Sequence, residues 1–305
     1  MKLWLINLGK AWSTLKREGV LRGAQRILVG AWNLLPRRLN GDILIITSGV
    51  GDSARYRGEY VAEELRLKGF RVAVTTQHNP WLAKYADDFS VFIFHRTLYI
   101  GQVKELFDRA KALKKTLVFE TDDLVYDPTY ITKTEYYQKM NALEKKLYEH
   151  GVGGEILNDV QVCTTTTSYI AEKLREKGKK VFIVRNKLSQ EDIAWIEKLS
   201  AKNYPLRAAL RIGYASGTAT HNKDFATITE ALLKLLEAYP EIRLVIAGPL
   251  LLDDRFASFH ERIERLPFAS RRQHFKNLAT LDINLAPLEV GAPFCEGKSE
   301  LKWFE

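Results

Sequence analysis

The chain has 305 residues, 46% of them hydrophobic and 27% charged, a composition typical of a folded globular protein and unlike that of a disordered one. This length allows two domains of ordinary size. The formal net charge of +9 would suit an anionic partner, either nucleic acid or a membrane surface, and the distribution of the charge decides between them.

Residues 1–40 hold most of the positive charge, with eight cations and one carboxylate for a net +7. Trp4, Trp12 and Trp32 lie on apolar stripes of helical spacing, which predicts a basic amphipathic extension bound to an anionic membrane surface. No run approaches the ~20 apolar residues of a spanning helix, and no signal-peptide cleavage site follows. Charge concentrated in one segment argues against a nucleic-acid partner. A helical pair packed on the protein's own first domain is the alternative.

The two cysteines, Cys163 and Cys295, lie in an apolar strand-like run and a loop, without the spacing of a zinc site or a disulfide framework. They are typical of reduced thiols in a cytoplasmic protein. Together with the basic extension, they predict a cytoplasmic protein associated peripherally with the inner face of the cell membrane.

The first half of the chain alternates short apolar runs with amphipathic segments, the βαβ pattern of a parallel sheet covered on both faces. We predict a Rossmann-like N-terminal domain over residues 41–200. Its six predicted strands are DILIIT (42–47), RVAVT (71–75), SVFIFH (90–95), TLVFE (116–120), VQVCT (160–164) and VFIV (181–184).

A polar stretch, EKLSAKNYPLR (197–207), interrupts the pattern and predicts a linker. The pattern then restarts, which predicts a second Rossmann-like domain over residues 206–305 and an α/β fold class with two doubly wound parallel sheets. The second domain is predicted to contain a helix around Phe225–Ala238 and three or four strands, at LRIGYA (210–215), RLVIAG (243–248) and LDINLA (281–286), with the fourth near Ile263.

A glycine-containing loop follows the first predicted strand. Gly49 and Gly51 allow a ligand to approach the backbone closely, and a helix is predicted to begin near Ser53. With Arg55 and Arg57, these glycines are candidates for substrate binding, and a purely structural turn is the alternative. The loop lacks the GxGxxG spacing, so a dinucleotide site is not supported.

Polar residues follow the third and fourth predicted strands, at the edge of a parallel sheet where ligands bind. His95 and Arg96 end the third strand, and Glu120, Asp122 and Asp123 lie at the end of the fourth. We predict catalytic roles for His95, Asp122 and Asp123 and substrate binding for Arg96. Clustered carboxylates suit a metal or a hydroxyl-rich substrate. Helix capping by one of the aspartates is the alternative.

The second domain offers a candidate phosphate site after its first strand. Gly217 and Thr218 lie in a Gly/Ser/Thr-rich loop, and Lys223 lies near the start of the following helix. Backbone N–H groups, hydroxyls and a cation can together hold a phosphate. The GxxxxGK[ST] sequence is absent, so a nucleoside triphosphatase lacks its main support.

The last segment of the chain, DINLAPLEVGAPFCEGKSELKWFE (282–305), reads as a strand, a Gly/Pro loop and the beginning of a helix. Lys298, Ser299 and Lys302 gather at that predicted helix N-terminus, an arrangement that suits an anion and above all a diphosphate. An ordinary connection followed by a solvent-exposed helix is the alternative.

The ordered set of motifs resembles the retaining glycosyltransferases of family four, of the kind that bacteria use in surface-polysaccharide synthesis and that adopt the two-domain GT-B fold. The resemblance runs from Asp42 to the end of the chain. The motifs are SARYRGEYVAEELRLKG (53–69), FIFHRTLY (92–99), LVFETDDLVYD (117–127), VRNKL (184–188), GYASGTATHNKDF (213–225), LVIAG (244–248) and the last segment.

The resemblance implies a hexosyltransferase-type enzyme that moves a sugar from a nucleotide-sugar donor, bound in the second domain, to a glycan or lipid-linked acceptor, bound in the first. No metal or cofactor is implied. Gly217 and Lys223 would lie beside the diphosphate, with Lys298, Ser299 and Lys302 as its second clamp, and Glu305 would bind the ribose.

The sequence departs from the family pattern at three points. The family has a Glu-x7-Glu motif whose later glutamate matches Glu305, but its earlier glutamate position falls on Gly297, with Glu296 one residue off. The usual arginine after the first donor-domain strand is replaced by residues 216–218, and the usual acceptor-domain histidine is replaced by Asp122. Members of the family continue beyond the last helix of this chain. The resemblance therefore implies an incomplete second domain and an inactive fragment, and a non-catalytic nucleotide- or carbohydrate-binding fragment is the alternative function.

Overall fold

The structure, a computed structural model, describes residues 39–49, 51–149, 152–200, 209–217 and 221–305. The predicted membrane-binding extension, the linker residues 201–208 and Thr218 lie outside the described residues. The described part divides into two compact units, one of residues up to Lys187 with Gly297–Ser299, and one of Leu188–Glu296 with Glu300–Glu305.

The first unit alternates strands and helices. Its strands are β1 (Ile43–Thr47), β2 (Val72–Thr76), β3 (Val91–His95), β4 (Thr116–Thr121), β5 (Val162–Thr165) and β6 (Lys180–Ile183). Its helices are α1 (Asp52–Ala54), a π-helical turn (Arg55–Glu59), α2 (Tyr60–Leu67), a 3₁₀ turn (Leu82–Ala86), α3 (Gly101–Ala112), a 3₁₀ turn (Leu124–Tyr126), α4 (Pro128–Ile131), α5 (Glu135–Gln138), α6 (Ala142–Leu147), α7 (Gly154–Asp159) and α8 (Ser168–Arg175).

All six strands pair in parallel, in the order β2-β1-β3-β4-β5-β6. Strand β1, which lies between β2 and β3, is buried along its whole length, as its unbroken apolar sequence requires. The chain winds to one side from β1 to β2 and to the other side from β3 onward. The strand order therefore reverses between β1 and β3, and the carboxyl ends of these two strands border the crevice where open α/β sheets bind ligands.

The second unit repeats the pattern with fewer strands. Its strands are β7 (Leu210–Ala215), β8 (Ile242–Ala247), β9 (Ile263–Leu266) and β10 (Ile283–Leu285). Its helices are α9 (Gln190–Ser200), α10 (Asn222–Ala226), α11 (Thr229–Ala238), a 3₁₀ segment (Asp254–Arg262), α12 (Arg271–Leu278), α13 (Pro293–Glu296) and α14 (Leu301–Phe304).

The four strands of the second unit are also parallel, in the order β10-β7-β8-β9, and the order reverses between β7 and β10. Tyr214, Phe225 and Phe256 pack in its core. The predicted α/β fold with two parallel sheets is confirmed. The helix expected around Phe225–Ala238 forms two pieces, α10 and α11, with a break at Thr227 and Ile228.

Helix α9 groups with the second unit, although the sequence pattern assigned residues up to 200 to the first domain. Arg271 of α12 contacts Asp192 at 3.0 Å, and Arg272 contacts Glu191 at 2.6 Å. The largely buried pair of Arg271 and Asp192 joins α9 to α12, whereas the exposed pair of Arg272 and Glu191 adds little. Within the part of the chain that the structure describes, no helix combines the length and the apolarity needed to span a bilayer.

Candidate functional site

Asp122 is the centre of a polar cluster at the carboxyl edge of the first unit's sheet, where the strand order reverses. Its Oδ2 accepts a hydrogen bond of 2.7 Å from Ser53 Oγ, and its Oδ1 lies 3.2 Å from His95 Nε2 and 3.2 Å from Arg96 Nη1. Segments after β1, β3 and β4 thus each contribute to the cluster. The predicted residues His95, Arg96 and Asp122 are brought together, with Ser53 as an additional member.

The backbone of Arg96 supports this arrangement. Its φ is +52°, in the left-handed region that residues other than glycine seldom adopt. Such conformations cost free energy and concentrate at binding and catalytic sites. Here the turn directs the guanidinium back to the Asp122 carboxylate and to Ser53 Oγ, which it reaches at 3.3 Å.

Asp122 is held as a carboxylate. Burial by itself would raise the pKa of Asp122, but the charge of Arg96, followed by the hydrogen bonds and charge of His95 and the hydroxyl of Ser53, holds that pKa well below its usual range. A carboxylate with so low a pKa is a weak proton acceptor. It can orient a hydroxyl or stabilise positive charge, and these are the roles that its environment favours.

The cluster contains Ser, His and Asp side chains but lacks the geometry of a hydrolase triad. In a triad, the serine and the aspartate bond to opposite nitrogens of the imidazole. Here Ser53 and Asp122 both face His95 Nε2, and they also bond directly to each other. His95 is fully buried, and its Nδ1 has no hydrogen-bond partner among the described residues.

Asp123 lies next to the cluster and has a different role. Its Oδ1 accepts a hydrogen bond of 2.8 Å from the N–H of Leu124 and so caps the 3₁₀ turn that begins there. The capping alternative therefore applies to Asp123 and not to Asp122. The other oxygen of Asp123 lies 3.4 Å from Lys298 Nζ, a residue that also belongs to the first unit.

The loop after β1 leaves room for a ligand at both of its predicted glycines. A Cβ atom built on Gly49 or Gly51 would have no atom within 4 Å. Arg55 forms an exposed pair with Asp52 at 2.6 Å, which leaves its charge at the surface beside this loop. Screening by solvent makes that pair weak, so Arg55 can exchange Asp52 for an anionic ligand.

Arg57 differs from expectation, because its side chain is fully buried and does not line the loop. Its Nε donates to Glu120 Oε1 at 2.8 Å, its Nη1 donates to Asn186 Oδ1 at 3.1 Å, and Thr164 donates to the other oxygen of Glu120. A buried arginine needs such a partner. Arg57, in the π-helical turn, and Glu120, on β4, therefore form an internal ion pair, and neither is placed to contact a substrate.

The second unit holds three of the residues predicted to bind a diphosphate, Gly217, Lys223 and Lys302, whereas Lys298 and Ser299 belong to the first unit. Gly217 follows β7, and a Cβ built on it would meet no atom within 4 Å. Lys223 is exposed on α10. Lys302 lies with its ammonium 4.5 Å from the centre of the Tyr214 ring, a cation–π contact that fixes its position at the end of β7.

The predicted helix start at Lys298 is corrected by the structure. The last helix, α14, begins at Leu301 and has four residues, so Lys298 and Ser299 precede it. Ser299 accepts a hydrogen bond of 2.8 Å from Asn186 Nδ2 within the first unit. A helix of one turn has few aligned peptide dipoles, so any anion binding by this segment depends on its lysines.

Glu305 is held by two cationic or potentially cationic side chains of α12. Arg271 Nη1 contacts its Oε1 at 2.5 Å, and His274 Nε2 lies 3.3 Å from its Oε2. The side chain is one-tenth exposed. A ribose that binds Glu305 would therefore share the carboxylate with Arg271.

Two participants were not named as site residues by the sequence. Ser53 had a weak signal, since it follows a glycine loop at the end of the first strand. Asn186, which contacts both Arg57 and Ser299, lies in the VRNKL motif of the resemblance, but its partners, 129 and 113 residues away, could not be read from the sequence. Among the described residues, no group of three or more His, Cys, Asp or Glu side chains is arranged to hold a metal ion.

No family model and no curated protein matches the chain. Among solved structures, the UDP-GlcNAc 2-epimerase of Neisseria meningitidis bound to UDP-GlcNAc is 13% identical, with a TM-score of 0.42 over 80% of this chain and 76% of that one. The UDP-forming α,α-trehalose-phosphate synthase of Burkholderia vietnamiensis is 8% identical, with a TM-score of 0.45 over 87% and 81%. S. aureus TarM in complex with UDP is 12% identical, with a TM-score of 0.34 over 67% and 38%. No functional assignment follows from values this low.

Proposed function

We propose that the protein is a glycosyltransferase that moves a sugar from a nucleotide-sugar donor to a glycan or lipid-linked acceptor, with retention of configuration, in surface-polysaccharide synthesis. The Asp122 cluster carries the proposal. It presents a carboxylate of lowered pKa with a hydroxyl, an imidazole and a guanidinium at the reversal point of the first unit's sheet. Such a group of acceptors and donors suits the hydroxyls of a sugar.

In this proposal, Asp122 orients the acceptor hydroxyl. Its low pKa makes it a poor general base, so its contribution is to position the hydroxyl by a hydrogen bond and to stabilise the positive charge that develops on the transferred sugar. Arg96 and Ser53 hold the carboxylate in place. The uncommon backbone conformation of Arg96 supports a functional role for this corner.

The donor is assigned to the second unit. Gly217 leaves open space beside the end of β7, and Lys223 and Lys302 supply positive charge near the same reversal point. Lysine ammonium groups neutralise a leaving diphosphate without a metal ion. We therefore propose transfer that is independent of metals and cofactors.

The location proposed for the enzyme is the inner face of the cell membrane. The net charge of +7 in residues 1–40 and their three tryptophans support binding to anionic lipid. A lipid-linked acceptor lies at the same surface, so binding would concentrate the enzyme on its substrate.

The test is an assay of sugar transfer from a panel of nucleotide sugars to lipid-linked acceptors in EDTA, with the anomeric configuration of the product read by NMR. Asp122→Asn should lower kcat/KM by about 10²–10³, the cost of losing one preorganised electrostatic group. Asp108→Asn is the matched control, because Asp108 pairs with Lys104 on the exposed surface of the same unit.

Each outcome bears on a separate part of the proposal. Loss of transfer in EDTA would contradict metal independence, and an inverted product would contradict retention. Equal activity of Asp122→Asn and Asp108→Asn would remove Asp122 from catalysis. Binding of nucleotide sugars without any transfer would favour a non-catalytic binding protein instead.

A further inference from the structure

Asp224 connects the segment after β7 with the segment after β10. The proposed function uses both segments, and nothing in the sequence indicated that they are in contact. Asp224 lies in α10, directly after Lys223, and its side chain is 8% exposed. His221 lies on the segment after β7, just before α10. Its Nδ1 is 2.9 Å from Asp224 Oδ2. A buried carboxylate requires such partners, and this one obtains the others from a distant part of the chain.

The distant partners come from the segment after β10. The backbone N–H of Glu289 and the thiol of Cys295 both donate to Asp224 Oδ1, each at 3.1 Å. They lie 65 and 71 residues away along the chain. Both oxygens of Asp224 are therefore occupied, and one carboxylate joins the segments on the two sides of the reversal point between β7 and β10.

The joined segments carry Lys223 and Lys302, two of the lysines predicted to bind a diphosphate. Lys223 is adjacent to Asp224, and Lys302 rests on the ring of Tyr214, whose centroid lies 5.1 Å from that of Phe225. Burial, followed by the charges of Asp224 and Cys295, raises the pKa of Tyr214. A displacement of Asp224 would therefore change the positions of both Lys223 and Lys302.

We propose that Asp224 is a positioning residue that holds the segments after β7 and β10 together and thereby sets the arrangement of Lys223 and Lys302 for a diphosphate. The inference rests on the proposed function, since that function supplies the diphosphate. The carboxylate itself does not contact the ligand in this proposal, because two anions would repel each other.

The binding test uses calorimetry with uridine diphosphate and guanosine diphosphate as probes. Asp224→Asn should raise the Kd of the bound probe about tenfold, equivalent to about 1.4 kcal/mol. Cys295→Ser keeps a donor to Asp224 and should bind like the unaltered chain, whereas Cys295→Ala removes the donor and should bind more weakly. The control is Asp282→Asn, whose carboxylate accepts a hydrogen bond of 2.7 Å from the Arg211 N–H at the other end of β7.

A second measurement does not depend on ligand. Maleimide labelling of Cys295, followed by mass spectrometry of the peptide, reports on the carboxylate beside the thiol, because a nearby anion disfavours the reactive thiolate. Labelling should become several-fold faster in Asp224→Asn, on the order of three- to tenfold, and stay unchanged in Asp282→Asn. Thermal unfolding establishes that each variant is folded.

Unchanged diphosphate affinity in folded Asp224→Asn would overturn the positioning role, as would an equal loss in Asp282→Asn. If Asp224→Asn does not fold, equal affinity of Cys295→Ala and Cys295→Ser would overturn it. If the unaltered chain binds neither probe, the donor assignment fails and the positioning role fails with it. Labelling would then still decide whether Asp224 joins the two segments, since equal rates in Asp224→Asn and the unaltered chain would contradict the joining itself.

Discussion

At the scale of single residues, charge and burial separate two arginine–carboxylate pairs that look alike in the sequence. Arg57 and Glu120 are buried within the sheet, where the pair is structural. Arg96 and Asp122 lie at the sheet edge, with about a quarter and a sixth of their side chains exposed, and can be reached by a ligand. Exposure at the carboxyl edge is therefore what distinguishes a candidate site from an internal ion pair.

The pKa of Asp122 leads to a prediction about stability and pH. A carboxyl whose pKa is lower in the folded state stabilises that state above its unfolded pKa, about 3.9, and this contribution is lost as the pH falls through the folded pKa. Asp122→Asn should therefore lower the free energy of unfolding by about 1–3 kcal/mol at pH 7. Below pH ~4 the difference from the unaltered chain should shrink.

Urea unfolding at pH 7, 5 and 3 measures this difference. Asp108 accepts hydrogen bonds from Lys104 and from the Tyr99 hydroxyl at a partly exposed surface, where such contacts should contribute at most about 1 kcal/mol, so Asp108→Asn is the control. A destabilisation by Asp122→Asn that stays constant from pH 7 to pH 3 would mean that the carboxylate is not the source of the effect.

At the scale of elements, the end of β8 depends on a glycine that has no room for a side chain. Gly248 has φ +87°, and a Cβ built on it would lie 2.0 Å from the carbonyl oxygen of Ser216. Its N–H donates to Leu266 O on the far side, so the backbone cannot simply move away. Close approach of β7 and β8 at their carboxyl ends therefore requires glycine at this position.

Gly291 allows a matched comparison. It has a similar φ of +78°, but a Cβ built on it would meet nothing within 4 Å. Gly291→Ala should cost only the backbone strain, about 1–2 kcal/mol. Gly248→Ala should cost a further ~1–3 kcal/mol for the overlap with Ser216. Urea unfolding of the two variants tests this order, and equal destabilisation would contradict the steric argument.

At the scale of the whole molecule, charge is distributed unevenly along the chain. Residues 1–40 carry a net +7, whereas the remaining residues carry a net +2. A membrane surface attracts such a segment with roughly 1 kcal/mol for each nearby cation, in addition to apolar insertion of the tryptophans.

This charge distribution predicts that the chain binds vesicles containing phosphatidylserine and that removal of residues 1–40 abolishes the binding. Co-sedimentation with these vesicles measures it, and vesicles of phosphatidylcholine alone are the control. Binding should weaken as salt rises, because screening reduces the attraction. Equal binding of the shortened chain, together with a lower melting temperature, would favour helices packed on the protein's own domain.

The sequence by itself determined the fold class, because apolar runs separated by amphipathic segments encode strands and helices locally. All six strands predicted for the first domain are present, and the second unit has four strands where the sequence predicted three or four. It also predicted that His95, Arg96 and Asp122 meet at one edge of the sheet, because the carboxyl ends of parallel strands lie together, and the structure brings these three side chains into contact. The sequence did not show that α9 groups with the second unit, because ion pairs between α9 and α12 join residues about 80 apart.

Only the tertiary structure decided the role of each polar residue. Arg55 and Arg57 are two positions apart, yet one is at the surface and the other is buried against Glu120, 63 residues away. Asp122 and Asp123 are adjacent, yet one enters the cluster and the other caps a turn. Asp224 finds two of its partners 65 and 71 residues away. Periodicity reports which face a residue occupies, whereas its hydrogen-bond partners depend on which distant segments the fold brings beside it.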